Sequence, residues 1–285
     1  MTHRSPVPEK SQPGQLLLRT AGPCSFDPGH LLEIFARQRQ RFVAVLREYG
    51  PADWAAATRC TDWSAHDVVR HLCDGSTRLA AAGPDDRTYD LAVGYDPRIT
   101  PRRWLAASAS EPPGATFSRF LATTDELLVL ARDRLARSRS FTIALPYGPA
   151  DWKVLLLHTF WDSWLHERDV LLAGGREHPT DGGATVYAAA YGLFIAAAVA
   201  AMFGGQVQEK LTLGGGGVFE LDSRDGVTLA VTRVTTAGPP AAEVTDALTG
   251  RLPATAVLGD LPASSRTTLL HMANFFNTPV RPSPR

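Results

Sequence analysis

The chain has 285 residues, enough for two compact domains, and its 44% hydrophobic and 20% charged content builds cores rather than disorder. Its 29 basic and 29 acidic residues cancel, without the basic surplus or stripe that nucleic-acid binding calls for, so no nucleic-acid partner is expected. The three cysteines, Cys24, Cys60 and Cys73, form no C-x-x-C pair, which argues against a disulfide framework or a structural zinc knot and fits a cytoplasmic setting.

Residues 1–25 are expected to be a flexible tail, because MTHRSPVPEKSQPGQ has no apolar signal core and is rich in Pro, Ser and Gln. A first helix is expected from Asp27 to Tyr49, with Leu31, Leu32, Phe35, Phe42, Val45 and Leu46 at helical spacing and Gly50-Pro51 as its stop. After a short turn, PADWAAAT, Ser64 and Asp67 form a capping pair for a second helix over Ala65–Ala82. Gly83–Pro113 is proline-rich and irregular, broken by a short helix near Arg103–Ser108, and long loops of this kind often wall a site. A third helix is expected over Ala115–Ser138, then an extended piece, FTIALPYGP, and a fourth helix over Ala150–Ala173 that stops at Gly174-Gly175.

Ala184–Phe203 reaches the length of a membrane span, but it is mostly alanine and lacks flanking Lys or Arg anchors, so a buried packing helix and no membrane contact are expected. Short strands follow in KLTLGG, GVFELD and VTLAVTRV, the last two flanking the hairpin signal Ser223-Arg224-Asp225-Gly226. TAVLGD reads as another extended run, and a final helix is expected over Ala263–Phe276. The fold class is therefore α+β: a four-helix bundle over residues 26–176 followed by a small α/β domain over 184–285.

The chemistry concentrates in Leu157–Leu171, LHTFWDSWLHERDVL. Asp162 and His166, four residues apart, share one helix face about one turn from each other, as a carboxylate and an imidazole must to hold one cation. A third ligand has to come from a neighbouring helix, and His71, within the apolar run Val68-Val69-Arg70-His71-Leu72, is the candidate. Each element also has a plainer reading: a lone helical His is commonly structural, and Asp-x-x-x-His pairs occur on solvated faces. His158, four residues before Asp162 on nearly the same face, is a runner-up ligand, a residue that supports the ligands or a wall residue, whereas His66 points elsewhere.

Two phrases carry a family resemblance. Asp62-Trp63-Ser64-Ala65-His66-Asp67-Val68-Val69-Arg70-His71-Leu72 resembles the second-helix signature of the maleylpyruvate isomerase N-terminal family, within the DinB-like superfamily. Trp161-Asp162-Ser163-Trp164-Leu165-His166-Glu167-Arg168-Asp169 resembles that family's fourth-helix signature. The resemblance spans about residues 27–175 and implies a metal held by His71, Asp162 and His166. Better-known members carry Glu where this chain has Asp162, one methylene shorter. Two His and one carboxylate leave coordination positions open, the pattern of a catalytic site. Zinc(II) is the first choice, and iron(II) accepts the same donors. Asp169 or Glu167 could orient a ligating imidazole, with a surface role preferred for Glu167.

The resemblance further implies a small-molecule thiol, commonly mycothiol, as cosubstrate, with an electrophilic small molecule as its partner. Either thiol-assisted cis–trans isomerisation or S-transfer would follow from the same first step. The alternative is a catalytically inactive metal-containing binding or regulatory protein. Packing roles are expected for Cys60 and Cys73. Leu213–Val218, LGGGGV, lacks the Gly-Lys-Ser/Thr of a phosphate loop and reads as a tight turn. Trp161 and Trp164 read as core residues or cleft walls, and Arg233 or Arg251 could meet a substrate carboxylate.

Overall fold

The chain's computed structural model describes residues 16–20, 23–180, 182–253, 257–259 and 263–270. Local capping chemistry sets where the helices begin. Asp27 accepts from the backbone N–H groups of Gly29 and His30 and starts α1 (Pro28–Arg47). Ser64 and Asp67 close a reciprocal capping box at the head of α3 (Ala65–Ala81), satisfying donors that a helix start otherwise leaves open. The turn between them holds a short α2 (Pro51–Ala55).

The proline-rich stretch contains a 3₁₀ turn (Leu91–Val93) and α4 (Thr100–Ala107). It leads into α5 (Pro113–Ala136). FTIALPYGP folds as a hairpin, β2 (Thr142–Leu145) against β3 (Gly148–Asp151), and Asp151 caps α6 (Trp152–Ala173) by accepting from Lys153 N–H. The bundle consists of α1, α3, α5 and α6, with α6 packed against both α1 and α3. Seventeen of the 22 residues of α6 are buried, so it is the central helix rather than an amphipathic outer one.

Residues Gly182–Met202 form α7, long and apolar enough to cross a membrane by length and composition, with 89% of its apolar window buried inside the protein. It packs between α6 and α8 (Ala241–Leu248) and against the sheet. That sheet is antiparallel, in the order β1-β6-β5-β4, with β4 (Gln208–Thr212), β5 (Val218–Asp222) and β6 (Thr228–Arg233) in sequence. A last helix, α9 (Ala263–Leu269), packs on α7. One buried cluster runs from Phe35 and Trp164 in the bundle through Tyr191 and Phe194 of α7 to Phe219 and Leu229 of the sheet.

Two expectations change. The expected tail does not extend over residues 16–19: β1 (Leu16–Arg19) pairs antiparallel with β6, Leu16 opposite Val231 and Arg19 opposite Thr228, with Leu16 and Leu18 buried. The alternating Leu16/Leu18 face gains a core that only residues two hundred positions later can supply. Residues 1–15 lie outside the described residues. Half of TAVLGD does too, and its described part, Val257–Gly259, is not a strand; the final helix is described over Ala263–Leu269.

Candidate metal centre

Two bundle helices bring the donors together. Inward-facing α3 contributes His71, and α6 contributes Asp162 and His166 one turn apart. His71 Nε2 lies 3.3 Å from Asp162 Oδ2, and His166 Nε2 lies 3.4 Å from Asp162 Oδ1. The two imidazole rings stand edge to face at 5.0 Å. One ligand atom from each of the three residues lies within 4.8 Å of the others. Ligands bound to one ion at about 2.0–2.2 Å must converge in this way. His71 Nδ1 is buried without a hydrogen-bond partner among the described residues. Two imidazoles and a carboxylate are a borderline donor set suited to zinc(II) or iron(II), so the residues present fit a divalent ion.

The surroundings orient the donors. His166 Nδ1 lies 3.1 Å from Asp169 Oδ2, which fixes the ring and turns Nε2 inward. Asp169 in turn accepts 2.7 and 2.6 Å bonds from Arg251 Nε and Nη2, a bidentate pair that reaches into the bundle from just beyond α8. Trp63, at the turn before α3, stacks on His166 at 5.8 Å and tilts over His71 at 5.0 Å. Burial alone would raise the Asp162 carboxyl, but the His71 and His166 rings beside it hold it well below the usual carboxylate range. Burial likewise opposes the His166 charge, and Asp162 and Asp169 overcome that, holding its pKa up at about 9. Buried Asp169 is kept ionised by Arg251 and His166.

The other sequence candidates fall into distinct places. His158 is not among the three converging donors; its Nδ1 lies 3.1 Å from the Tyr191 hydroxyl, which meets Tyr147 at 3.2 Å. Trp161 is buried against His158 and Tyr191, and Trp164 is buried against His178. His66 turns away to Thr116, 2.7 Å from its hydroxyl. Cys73 is buried, and burial pushes its thiol up to about 11. Cys60, expected to be a packing residue, sits within ligand distance of His166 and Asp169, with burial pushing its thiol up to about 12. Arg233 is exposed at the end of β6.

Glu167 is the clear correction. A surface charge was expected, yet its side chain is fully buried, held by Arg41 (2.9 Å twice), Gln38 (3.0 Å) and His178 (3.3 Å). One residue after His166, and so about 100° further round α6, it faces α1 instead of the three converging donors. Sequence reading also passed over Tyr89 and Tyr191, whose rings stand near His158, and Tyr95, which packs on Tyr89. These tyrosines come from a loop and from α7, and no spacing relative to Asp162 marks them.

A family model described as "Mycothiol maleylpyruvate isomerase N-terminal domain" matches residues 35–171, which takes in α3, α6 and all three donors. The fold resembles the crystal structure of the mycothiol-dependent maleylpyruvate isomerase, with a TM-score of 0.55 at 14% identity over 80% of this chain and 90% of that one. A histidine-to-alanine mutant of that isomerase is similar at a TM-score of 0.51 and 13% identity, with the same coverage. Among curated proteins, none matches this chain.

Proposed function

We propose, for a chain whose residues 35–171 belong to the mycothiol maleylpyruvate isomerase N-terminal domain family, that it is a divalent-metal-dependent enzyme using a low-molecular-weight thiol, with mycothiol the first choice. Its substrate is a small electrophile, which it isomerises or converts to an S-conjugate. The observation that carries the reading is the convergence of His71, Asp162 and His166 around one point inside the bundle. A bound divalent ion, zinc in the first instance, would lower the pKa of a coordinated thiol so that the sulfur is nucleophilic near neutral pH.

The chain's own residues do the rest. Asp169, locked by Arg251, accepts the Nδ1 proton of His166 and keeps the Nε2 lone pair turned inward. Trp63 covers the two imidazoles and keeps water from that side. His158 and Tyr191 place a hydrogen-bonded imidazole–phenol pair one turn before Asp162, where a substrate oxygen could accept a proton. Addition of sulfur to one alkene carbon makes a C–S bond and moves the π electrons onto the conjugated carbonyl. Rotation about the resulting single bond and loss of the same sulfur return the thiol, so isomerisation needs no net proton or electron. If a leaving group departs instead, the product is an S-conjugate and one proton is released.

The test is turnover with defined thiols. Zinc-loaded protein, mixed with a conjugated unsaturated acid and mycothiol, is expected to convert the alkene with the thiol either regenerated or found in the product by mass spectrometry. Glutathione and cysteine serve as comparison thiols. Protein that holds zinc yet neither binds nor turns over any of the three would overturn the enzyme reading and leave a metal-containing binding protein.

A further inference from the structure

The face of α3 that presents His71 carries a second polar group. Arg78 follows seven residues later, about 20° round the helix and about 10 Å along its axis, so the two leave the same side of α3. The Arg78 guanidinium lies over the Trp104 ring of α4, 3.3 Å from the ring centroid. Its Nε is buried without a partner, and the guanidinium makes no hydrogen bond or ion pair to a described residue. Arg41, Arg59, Arg119, Arg168 and Arg251 each meet a carboxylate; Arg78, like Arg39 and Arg134, meets none, but unlike them it lies on the His71 face of α3.

Between His71 and Arg78, on the same face, lies Gly75. A Cβ built there meets nothing within 4 Å. Glycine inside a helix costs roughly 1 kcal/mol relative to alanine, and here its backbone borders open space between the two polar groups. Tyr89 stands on the far wall, its ring 5.9 Å from His158 and 5.3 Å from Tyr95. Tyr95 in turn stands 6.2 Å from the Trp104 ring, so Tyr89 and Tyr95 link His158 to the ring beneath Arg78. The hydroxyls of Tyr89 and Tyr95 make no hydrogen bond to a described residue.

We infer that Arg78, laid flat on Trp104, anchors a carboxylate of the electrophilic substrate, while the Tyr89 and Tyr95 hydroxyls donate to its other oxygens. The inference rests on the enzyme reading above and deepens it by naming a specificity-determining residue. A guanidinium held by stacking keeps its hydrogen-bonding edge free and fixes that edge's plane, which suits bidentate recognition of a carboxylate. The guanidinium is partly open to solvent, and a bound carboxylate would give its unpartnered edge an acceptor. The open space at Gly75 leaves room for the rest of the substrate between Arg78 and the His71 end.

The test is a calorimetric titration of the full chain, metal-stripped and without thiol, with cinnamate and fumarate and with their neutral amides. The acids are expected to bind at least about ten-fold more tightly than the amides. Arg78→Gln is expected to weaken acid binding about 10- to 100-fold and leave amide binding unchanged. Arg78→Lys keeps part of the preference. Gly75→Leu fills the gap and weakens acids and amides alike while the thermal midpoint does not fall below that of the parent. Absence of millimolar binding by either acid overturns the inference, as does equal binding of acid and amide, or an Arg78→Gln protein that binds the acids like the parent. Should Arg78→Gln fail to fold, the Lys and Leu variants decide. Zinc content and thiol turnover play no part in this titration, so its failure is distinguishable from failure of the enzyme reading.

Discussion

Replacing Asp169 with alanine is expected to lower the free energy of unfolding by about 3–5 kcal/mol and to weaken divalent-metal binding about 10- to 100-fold. Asp169 is fully buried and compensates two groups at once. Arg251 donates to both its oxygens, and Arg59 approaches one of them at 4.0 Å. Deletion leaves the Arg251 cation desolvated without its counter-charge, the costly way to break a buried pair. It also frees the His166 ring, because Nδ1 loses the acceptor that sets its orientation. Denaturant unfolding checks the first effect and competition with a chelating dye the second. A loss below about 1 kcal/mol with unchanged metal affinity would mean that the pair is a bystander.

The second large effect lies on another face of the same helix. Glu167→Gln is expected to cost about 3 kcal/mol near neutral pH, since it removes the charge that Arg41, Gln38 and His178 all address inside the bundle. Arg41 is partly exposed and can turn to water, whereas His178 and Gln38 cannot, so the buried donors carry most of the cost. Burial would raise the Glu167 carboxyl, but His178 and Arg41 hold it below the ordinary glutamate range. A depressed folded-state value means that the stabilisation is present above the unfolded value and is lost as pH falls through the folded one. The difference between parent and variant should therefore shrink in acid, below about pH 4.3. Unfolding curves across that range check this, and a difference that stays constant with pH would contradict it.

The helices of the bundle were legible because each carries its own punctuation. Asp27 and Ser64 cap the starts of α1 and α3, and Gly174 follows the last residue of α6. The three converging donors were legible because α6 repeats every 3.6 residues, which puts Asp162 and His166 on one face. What escaped notice depends on distant partners. Leu16–Arg19 is too short to announce a strand, and its partner β6 lies more than two hundred residues on. Glu167 reads as a solvated charge until α1 supplies Arg41 and Gln38 and the segment after α6 supplies His178. Arg78 and Gly75 share the His71 face by simple arithmetic, yet only the packing of α4 onto α3 shows that Trp104 lies under the guanidinium and that the glycine borders a gap.

The most direct test of the central claim is the metal content of the full chain, purified without added metal and again after reconstitution with zinc, beside the His71→Ala and His166→Ala variants. Elemental analysis is expected to find about one divalent ion per reconstituted parent chain and almost none in either variant, with circular dichroism unchanged, because two remaining donors cannot hold the ion against buffer. A parent that takes up neither zinc nor iron(II), or variants that keep a full equivalent, would contradict a site built from His71, Asp162 and His166.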